Sequence, residues 1–396
     1  MRATTAPTLA GLTRAGEQVV LRAHRDDDAE PLVEVLSDAE AVRWLSGPPQ
    51  PFTRDLALEW IASRPAAWAG AGERTLVVEV DGRLCGQVGL RPRGDGSASL
   101  GYVLGARARR RGVMTAAVRA LAAWALRPED AGHPDGGAGL AVLHWSAQVG
   151  NWASRRTAWA CGFQVEGRVR GLQRRGAGPA DGWIGSLCRG DDLRPAHPWL
   201  VPERIETGDL VLRAHRPDDA ERIQQACSDA GTQAWLPDLP SPYSLADARE
   251  YLDGREEEHA QAGAVYWAVA DAGDDRLLGE IGLMALGRGL SRSGEIGYWV
   301  HPGERRRGVG ARALRAVARH GLLPLAEGGL GLDRVLVRVA AGNQASHGVA
   351  RSAGFTEVGR DRRAERLRDG RREDLVRYDL LAEELESTWA HPSSLR

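Results

Sequence analysis

The chain contains no lysine: all 52 basic residues among its 396 are arginines. Any cationic anion site must therefore be built from guanidinium groups or backbone N–H. Cysteine is sparse. Cys85, Cys161, Cys188 and Cys227 are scattered, with no CxxC pair and no His/Cys cluster at metal spacing, so no metal site is expected. Dispersed thiols in so long a chain fit a reducing cytosol better than a disulfide scaffold. There is no run of about 18 apolar residues of the kind that crosses a bilayer. Residues Met1 to Gly16 lack the apolar core of a secretory signal, and a cytoplasmic protein is expected. A net charge of −1 gives no reason to expect nucleic acid or an anionic membrane as partner.

What is present is said twice. "VLRAHRDDDAE" from Val20 recurs as "VLRAHRPDDAE" from Val211, and "RLCGQVGL" from Arg83 as "RLLGEIGL" from Arg276. "SLGYVLGARARRRGVMTAAVRAL" from Ser99 matches "EIGYWVHPGERRRGVGARALRAV" from Glu295, and "GNWASRRTAWACGF" from Gly150 matches "GNQASHGVARSAGF" from Gly342. A period this long is a duplicated domain and not a solenoid unit. The pattern predicts domains at residues 16–192 and 204–386, joined by a polar, Pro-rich linker at 193–203. Each copy reads as an opening strand, helices with Thr53 or Ser244 as N-cap, two strands, a further strand running into an arginine loop and helix, then strand, short helix and a strand pair. That order predicts an α/β (α+β mixed sheet) layered domain, twice in tandem.

The arginine loop carries the chemistry. A helix N-terminus has free N–H groups and partial positive charge, and so receives phosphate. In "ERRRGVGARALRAVARH", Gly308 and Gly310 let a ligand approach the backbone around Val309, and Arg305, Arg306 and Arg307 add cations. Arg109, Arg110, Arg111 and Gly112 repeat the arrangement, with Met114 in the place of Gly310.

This pattern resembles the GNAT N-acetyltransferase superfamily, in which [QR]-x-x-G-x-[GA] is the acetyl-CoA pyrophosphate loop. Arg305, Gly308 and Gly310 match it in full; the first copy departs at Met114. "EIGYWV", "N-x-x-S" and "AGF" are similar to the branch of RimJ/RimL-type ribosomal-protein N-terminal acetyltransferases. The resemblance implies a mixed sheet whose fourth and fifth strands splay apart to admit the pantetheine arm. Backbone N–H near Val300 would polarise the thioester carbonyl. It implies further that Asn343 contacts pantetheine and that Ser346 lies near the sulfur as proton donor, with Asn151 and Ser154 their counterparts. Acetyl transfer to an amine needs a proton acceptor. Glu295, on the cofactor-facing strand, is the first candidate and Glu280 the second. Ser99 and Gln87 stand at these positions in the first copy, so the second copy is expected to be the catalyst. Trp235, before a proline-containing loop, is expected to wall the acceptor site and Asp374 to face the acceptor amine.

The expected reaction is acetyl-CoA-dependent N-acetylation of a primary amine, a protein N-terminus or a small molecule, by direct attack in a ternary complex. A non-catalytic acyl-CoA sensor or scaffold and an aminoglycoside-type antibiotic acetyltransferase are the alternatives. Either a monomer or a homodimer is compatible with a tandem chain.

Overall fold

The computed structural model describes residues 5–45, 47–70, 72–129, 133, 136–175, 178–286 and 292–385. Glu386, the expected end of the second repeat, lies outside them. The chain forms two compact units, Met1–Ala196 and His197–Arg396.

In the first unit the strands are β1 (Leu9–Leu12), β2 (Gln18–Arg22), β3 (Arg74–Val80), β4 (Arg83–Pro92), β5 (Ser97–Leu104), β6 (Val142–Gln148), β7 (Gln164–Arg175) and β8 (Gly178–Cys188). Its helices are α1 (Ala29–Leu36), α2 (Ala39–Trp44), α3 (Arg54–Ala62), α4 (Arg64–Ala69), α5 (Val113–Leu126) and α6 (Trp152–Ala160). The second unit repeats the plan. Its strands are β9 (Ile205–Thr207), β10 (Leu210–Arg213), β11 (Ala264–Asp271), β12 (Leu277–Met284), β13 (Ser293–Val300), β14 (Arg334–Ala340), β15 (Thr356–Arg366) and β16 (Arg372–Leu381). Its helices are α7 (Ala220–Ser228), α8 (Ala230–Trp235), α9 (Leu245–Ala260), α10 (Val309–Leu322) and α11 (Gln344–Ser352). Each unit holds one eight-stranded mixed sheet, ordered β1-β2-β3-β4-β5-β6-β8-β7 and β9-β10-β11-β12-β13-β14-β16-β15.

The strand sequences explain this order. β11 and β12 are buried at nearly every position because helices cover both faces, and they read as continuous apolar runs. β15 lies at the sheet edge and is mostly charged and exposed, as an edge strand must be to avoid pairing with other chains. In α10, Val309, Ala313, Leu314, Val317, Ala318 and Leu322 form one buried stripe. That stripe packs on Ile281, Leu283, Ile296, Val335 and Val337 of the sheet. Thr53 and Ser244 cap α3 and α9 by accepting from Leu56 N and Asp247 N.

Two features were not read from the sequence. β1 precedes the repeat and pairs antiparallel with β2. The stretch 193–203 is also not free of both cores: Leu193 packs on the first, while Trp199 is buried, and Leu200 packs on the second and donates its N–H to His259 O at 3.0 Å.

The central parallel pair positions the site. β13 and β14 pair only at Ser293–Arg334, Gly294–Val335 and Glu295–Leu336. Beyond that, β13 keeps only β12, through Gly279–Val300, and β14 keeps only β16, through Ala340–Leu375. A gap therefore opens along Ile296 to Val300. In the first unit the corresponding pair, β5 and β6, stays joined one residue further, to Leu100–Trp145.

Candidate active site

Gly308 holds φ +73° and Arg306 φ +61°, so left-handed residues alternate with the helix entry. Such alternation turns successive N–H groups to one side, the geometry of an anion nest. The first amide of this stretch to find a backbone acceptor is that of Arg312, which bonds Gly308 O at 3.1 Å. Among the described residues, the N–H groups of Arg306 through Ala311 have none. The three arginines do not act alike. Arg305 donates to Asp229 and Thr232, both at 2.7 Å, and so ties the loop to the start of α8. Arg307 pairs with the buried Glu304, which also holds Arg222 and Arg276. Arg306 alone has no acidic partner among the described residues and is exposed. The first unit repeats this: Arg109 pairs with Asp38 and Arg111 with Glu17, while Arg110 holds φ +63°. The loop is thus a set of amides braced by two ion pairs, with one free guanidinium.

The gap lies beside this loop. His301 donates its N–H to Leu278 O on the β12 side at 2.8 Å. Strand alternation then directs the N–H groups of Tyr298 and Val300 to the other edge, into the gap. α11 starts across from them. Asn343 caps it by accepting from Ser346 N at 3.2 Å, and Tyr298 OH donates to Ser346 O at 3.4 Å. Gly310 faces the same space: a Cβ there would lie 3.4 Å from Val349 and 3.5 Å from Val300. In the first unit this position is Met114, only 6 % exposed and packed in the core. There the gap is also bridged. Trp145 Nε1 donates toward Tyr102 OH and Ser154 Oγ, both at 3.1 Å, and Tyr102 OH lies 2.9 Å from Ser154 Oγ.

The opposite face of the sheet carries the carboxylates. Glu295 Oε1 accepts from Arg338 Nε at 2.9 Å, so the salt-bridge alternative for this residue is the arrangement present. Glu280 is 4 % exposed; its Oε2 lies 2.8 Å from His215 Nε2 and its Oε1 accepts from Tyr251 OH. Arg255 stacks on Tyr251 and Tyr266, 4.1 and 4.0 Å from the ring centroids. Burial pushes the Glu280 carboxyl up, but His215, Arg255 and the Tyr251 hydroxyl outweigh it and hold the group below the ordinary glutamate value. Asp374 accepts from Arg363 N at 2.7 Å and pairs with Arg360 at 2.8 Å, which commits it to the β15–β16 hairpin. Its neighbour Glu373 instead accepts from Gly342 N at 2.7 Å. A Cβ at Gly342 would lie 3.0 Å from the Glu373 carboxylate and 3.1 Å from the Trp235 ring, so the indole rests on the strand-to-helix turn beside Asn343. His347 is buried, with Nδ1 2.8 Å from Tyr378 OH.

Sequence reasoning missed His215, Tyr251 and Arg255. The signal was available: in the repeat they align with His24, Trp60 and Arg64, and Tyr251 and Arg255 stand four apart on one helix. The first unit carries the same quartet without the carboxylate. His24 Nε2 lies 3.1 Å from Gln87 Oε1 and packs edge-on to Trp60, with Arg64 over that indole at 4.0 Å. Three further charged positions of this face are neutral in the first unit. By strand register, Ser146 stands for Arg338, Gln173 for Glu365 and Ala180 for Glu373, and Gln173 bonds Ser146 at 2.9 Å. Among the described residues, no group of His, Cys, Asp and Glu could hold a metal ion, and no helix is long and apolar enough to cross a membrane.

A mixed sheet with a split parallel pair and an amide nest at the mouth of the split define an acyltransferase-type fold, twice over; the Glu280 carboxylate belongs to the second unit alone. The family described as acetyltransferase (GNAT) domain matches residues 18–164 and again 209–356, and the chain belongs to it. It is an acetyltransferase of that family built as a tandem. It is 31 % identical over 185 residues to "Putative ribosomal N-acetyltransferase YdaF" of Bacillus subtilis (strain 168), covering 45 % of this chain and 93 % of that one. Among solved structures it is similar to Mycobacterium smegmatis RimJ in complex with CoA-disulfide, at 23 % identity and TM-score 0.41, over 48 % of this chain and 90 % of that one. It is also similar to RimL, a ribosomal L7/L12 alpha-N-protein acetyltransferase in complex with coenzyme A, at 24 % identity and TM-score 0.39, over 45 % and 98 %.

Proposed function

We propose that the second unit transfers an acetyl group from acetyl-CoA to a primary amine, and that the first unit holds no cofactor. The observation that carries this reading is the run of unbonded amides from Arg306 to Ala311, opening on the unpaired edge of β13. Those amides, with the Arg306 guanidinium, would take the diphosphate. Asn343 and Ser346 at the start of α11 would line the pantetheine arm. Acetyl-CoA supplies an activated thioester when bound; everything else is done by the chain. Val300 N–H, already aimed into the gap, is the donor for the carbonyl oxygen. Ser346 is the group for the departing sulfur, and Glu280, ionised and facing the other side of the sheet, takes the acceptor's proton. Glu295 fixes Arg338 and so shapes the acceptor floor.

The acceptor in this proposal is a protein N-terminal amine. Support comes from the name of the Bacillus subtilis relative and from Trp235 and Glu373, which lie against Gly342 at the turn into α11 and so border the gap. In the first unit, Met114 and the Trp145–Tyr102–Ser154 bridge occupy the equivalent gap, and Gln87 and Ser99 stand in the places of Glu280 and Glu295. Incubating the chain with acetyl-CoA and short peptides bearing free N-termini should release CoA thiol in proportion to peptide acetylation. Tight CoA binding with no acceptor-dependent thiol release, from peptides, spermidine or an aminoglycoside, would leave a sensor and overturn the proposal.

A further inference from the structure

The quartet His215, Tyr251, Arg255 and Glu280 is bought at a cost that the fold does not require. A buried ion pair contributes little net stability, because desolvation offsets the attraction. The first unit shows that the same scaffold closes over the neutral pair His24 and Gln87. The Glu280 carboxylate is therefore not required by the fold. Its place is specific. Glu280 is the direct cross-strand neighbour of Trp299, and Val300, whose N–H faces the gap, is the next residue. Tyr251 shares a hydrophobic cluster with Trp299 and with Leu239 from the loop that follows Trp235. Its hydroxyl donates to Glu280, which leaves the phenolic oxygen free to accept a further hydrogen bond.

Resting on the reading of the second unit as the transferase, we propose that Tyr251 is the group that meets the acceptor's ammonium, and that Glu280 drains its proton. The ammonium gives one proton to the Tyr251 oxygen while the tyrosine proton passes to Glu280 Oε1. The amine then attacks the thioester carbonyl. Its second proton goes to the sulfur as the carbon–sulfur bond breaks, giving CoA thiol and the amide. The first proton reaches solvent when the products leave, so two protons depart from the ammonium and both are placed. Arg255, held between Tyr251 and Tyr266, keeps the phenol in register and keeps Glu280 ionised between turnovers. The other titratable groups acting on Glu280 are Cys227 from α7, Tyr243 from the loop before α9 and Tyr266 of β11. All three are kept protonated, since burial pushes the Cys227 thiol up to about 12 and raises both phenols, so none competes for the proton.

The test compares wild type with Tyr251→Phe, Glu280→Gln and the double variant, using steady-state acetylation of a peptide with a free N-terminus across pH 6 to 10, with CoA affinity by calorimetry. Tyr251→Phe keeps the ring that Arg255 stacks on, and Glu280→Gln reproduces the first unit. The expected result is a fall in kcat of about 100-fold near neutrality in each single variant, the size of a lost proton-transfer group. The double variant should fall no further, because the two act in series, and the loss should shrink at high pH, where the amine arrives already neutral. KM for acetyl-CoA and CoA affinity should not move. A Tyr251→Phe enzyme with wild-type kcat across the range overturns the relay while leaving the transferase intact. So does additive loss in the double variant. A wild-type chain that binds CoA but acetylates nothing overturns the transferase reading and the relay with it. Should Glu280→Gln fail to bind CoA, Tyr251→Phe, which removes a single oxygen, decides.

Discussion

His24 and His215 sit at the same position of the two units and meet opposite surroundings. His24 faces an amide and lies among aromatic rings, and burial lowers its pKa from 6.5 to about 4. The folded first unit then refuses a proton that the unfolded chain accepts. Stability is full above pH 6.5, declines as pH falls from there, and levels below about 4. The drop from 6.5 to about 4 corresponds to about 3 kcal/mol. Denaturant unfolding of the chain at pH 7 and pH 4.5 should show this loss, and His24→Asn should remove most of it. An unchanged pH slope in that variant would contradict the neutral, buried histidine. Glu280 has the reverse sign. Its lowered pKa adds stability above the ordinary glutamate range that is lost as pH falls through the folded value. This contrast was only half legible in the sequence. The change from Gln87 to Glu280 could be read by alignment, but the partner of each lies more than 60 residues away in the chain, and no local pattern pairs them.

Elements carry the difference between the units in their packing. α5 and α10 begin with the same left-handed glycine and the same bare amides, and differ two residues on, where Met114 replaces Gly310. A Cβ at position 310 would meet its neighbours at ordinary contact distance. Gly310→Met should therefore fold, gaining some tenths of a kcal/mol in helix propensity, while its side chain enters the gap and weakens CoA binding at least tenfold. Undiminished binding would show that the gap is not the cofactor's place. Met114→Ala should cost about 2–5 kcal/mol of stability, as buried methionine truncations do, with no change in CoA affinity. On the far side, Trp235→Ala should raise KM for the acceptor several-fold and leave CoA affinity alone. The arginine loop, its helix and the split of the parallel strands were legible because each depends on local sequence: glycines, a helical stripe and a family motif. The use of the arginines was not. Arg305 and Arg307 are spent on Asp229 and Glu304, and Asp374 on its own hairpin, because side chains settle where folding brings opposite charges together.

At the scale of the whole molecule, one half kept the ionised face and the open gap and the other filled both in. The repeat made the duplication plain, and the charge census of the two copies pointed to the second as the working one. The filling of the first was less visible: Trp145 reaches Tyr102 and Ser154 from a strand where the second unit has Val337, a change that reads in sequence as ordinary core variation.

The central claim is that a single amide nest, at the start of α10, grips the nucleotide. Calorimetric titration of coenzyme A into the intact chain, beside Gly308→Val and Gly112→Val, tests it directly. The account predicts one equivalent bound per chain, affinity lowered at least tenfold by Gly308→Val, and no change from Gly112→Val. Two equivalents, or a loss of binding that follows Gly112 and spares Gly308, would contradict it.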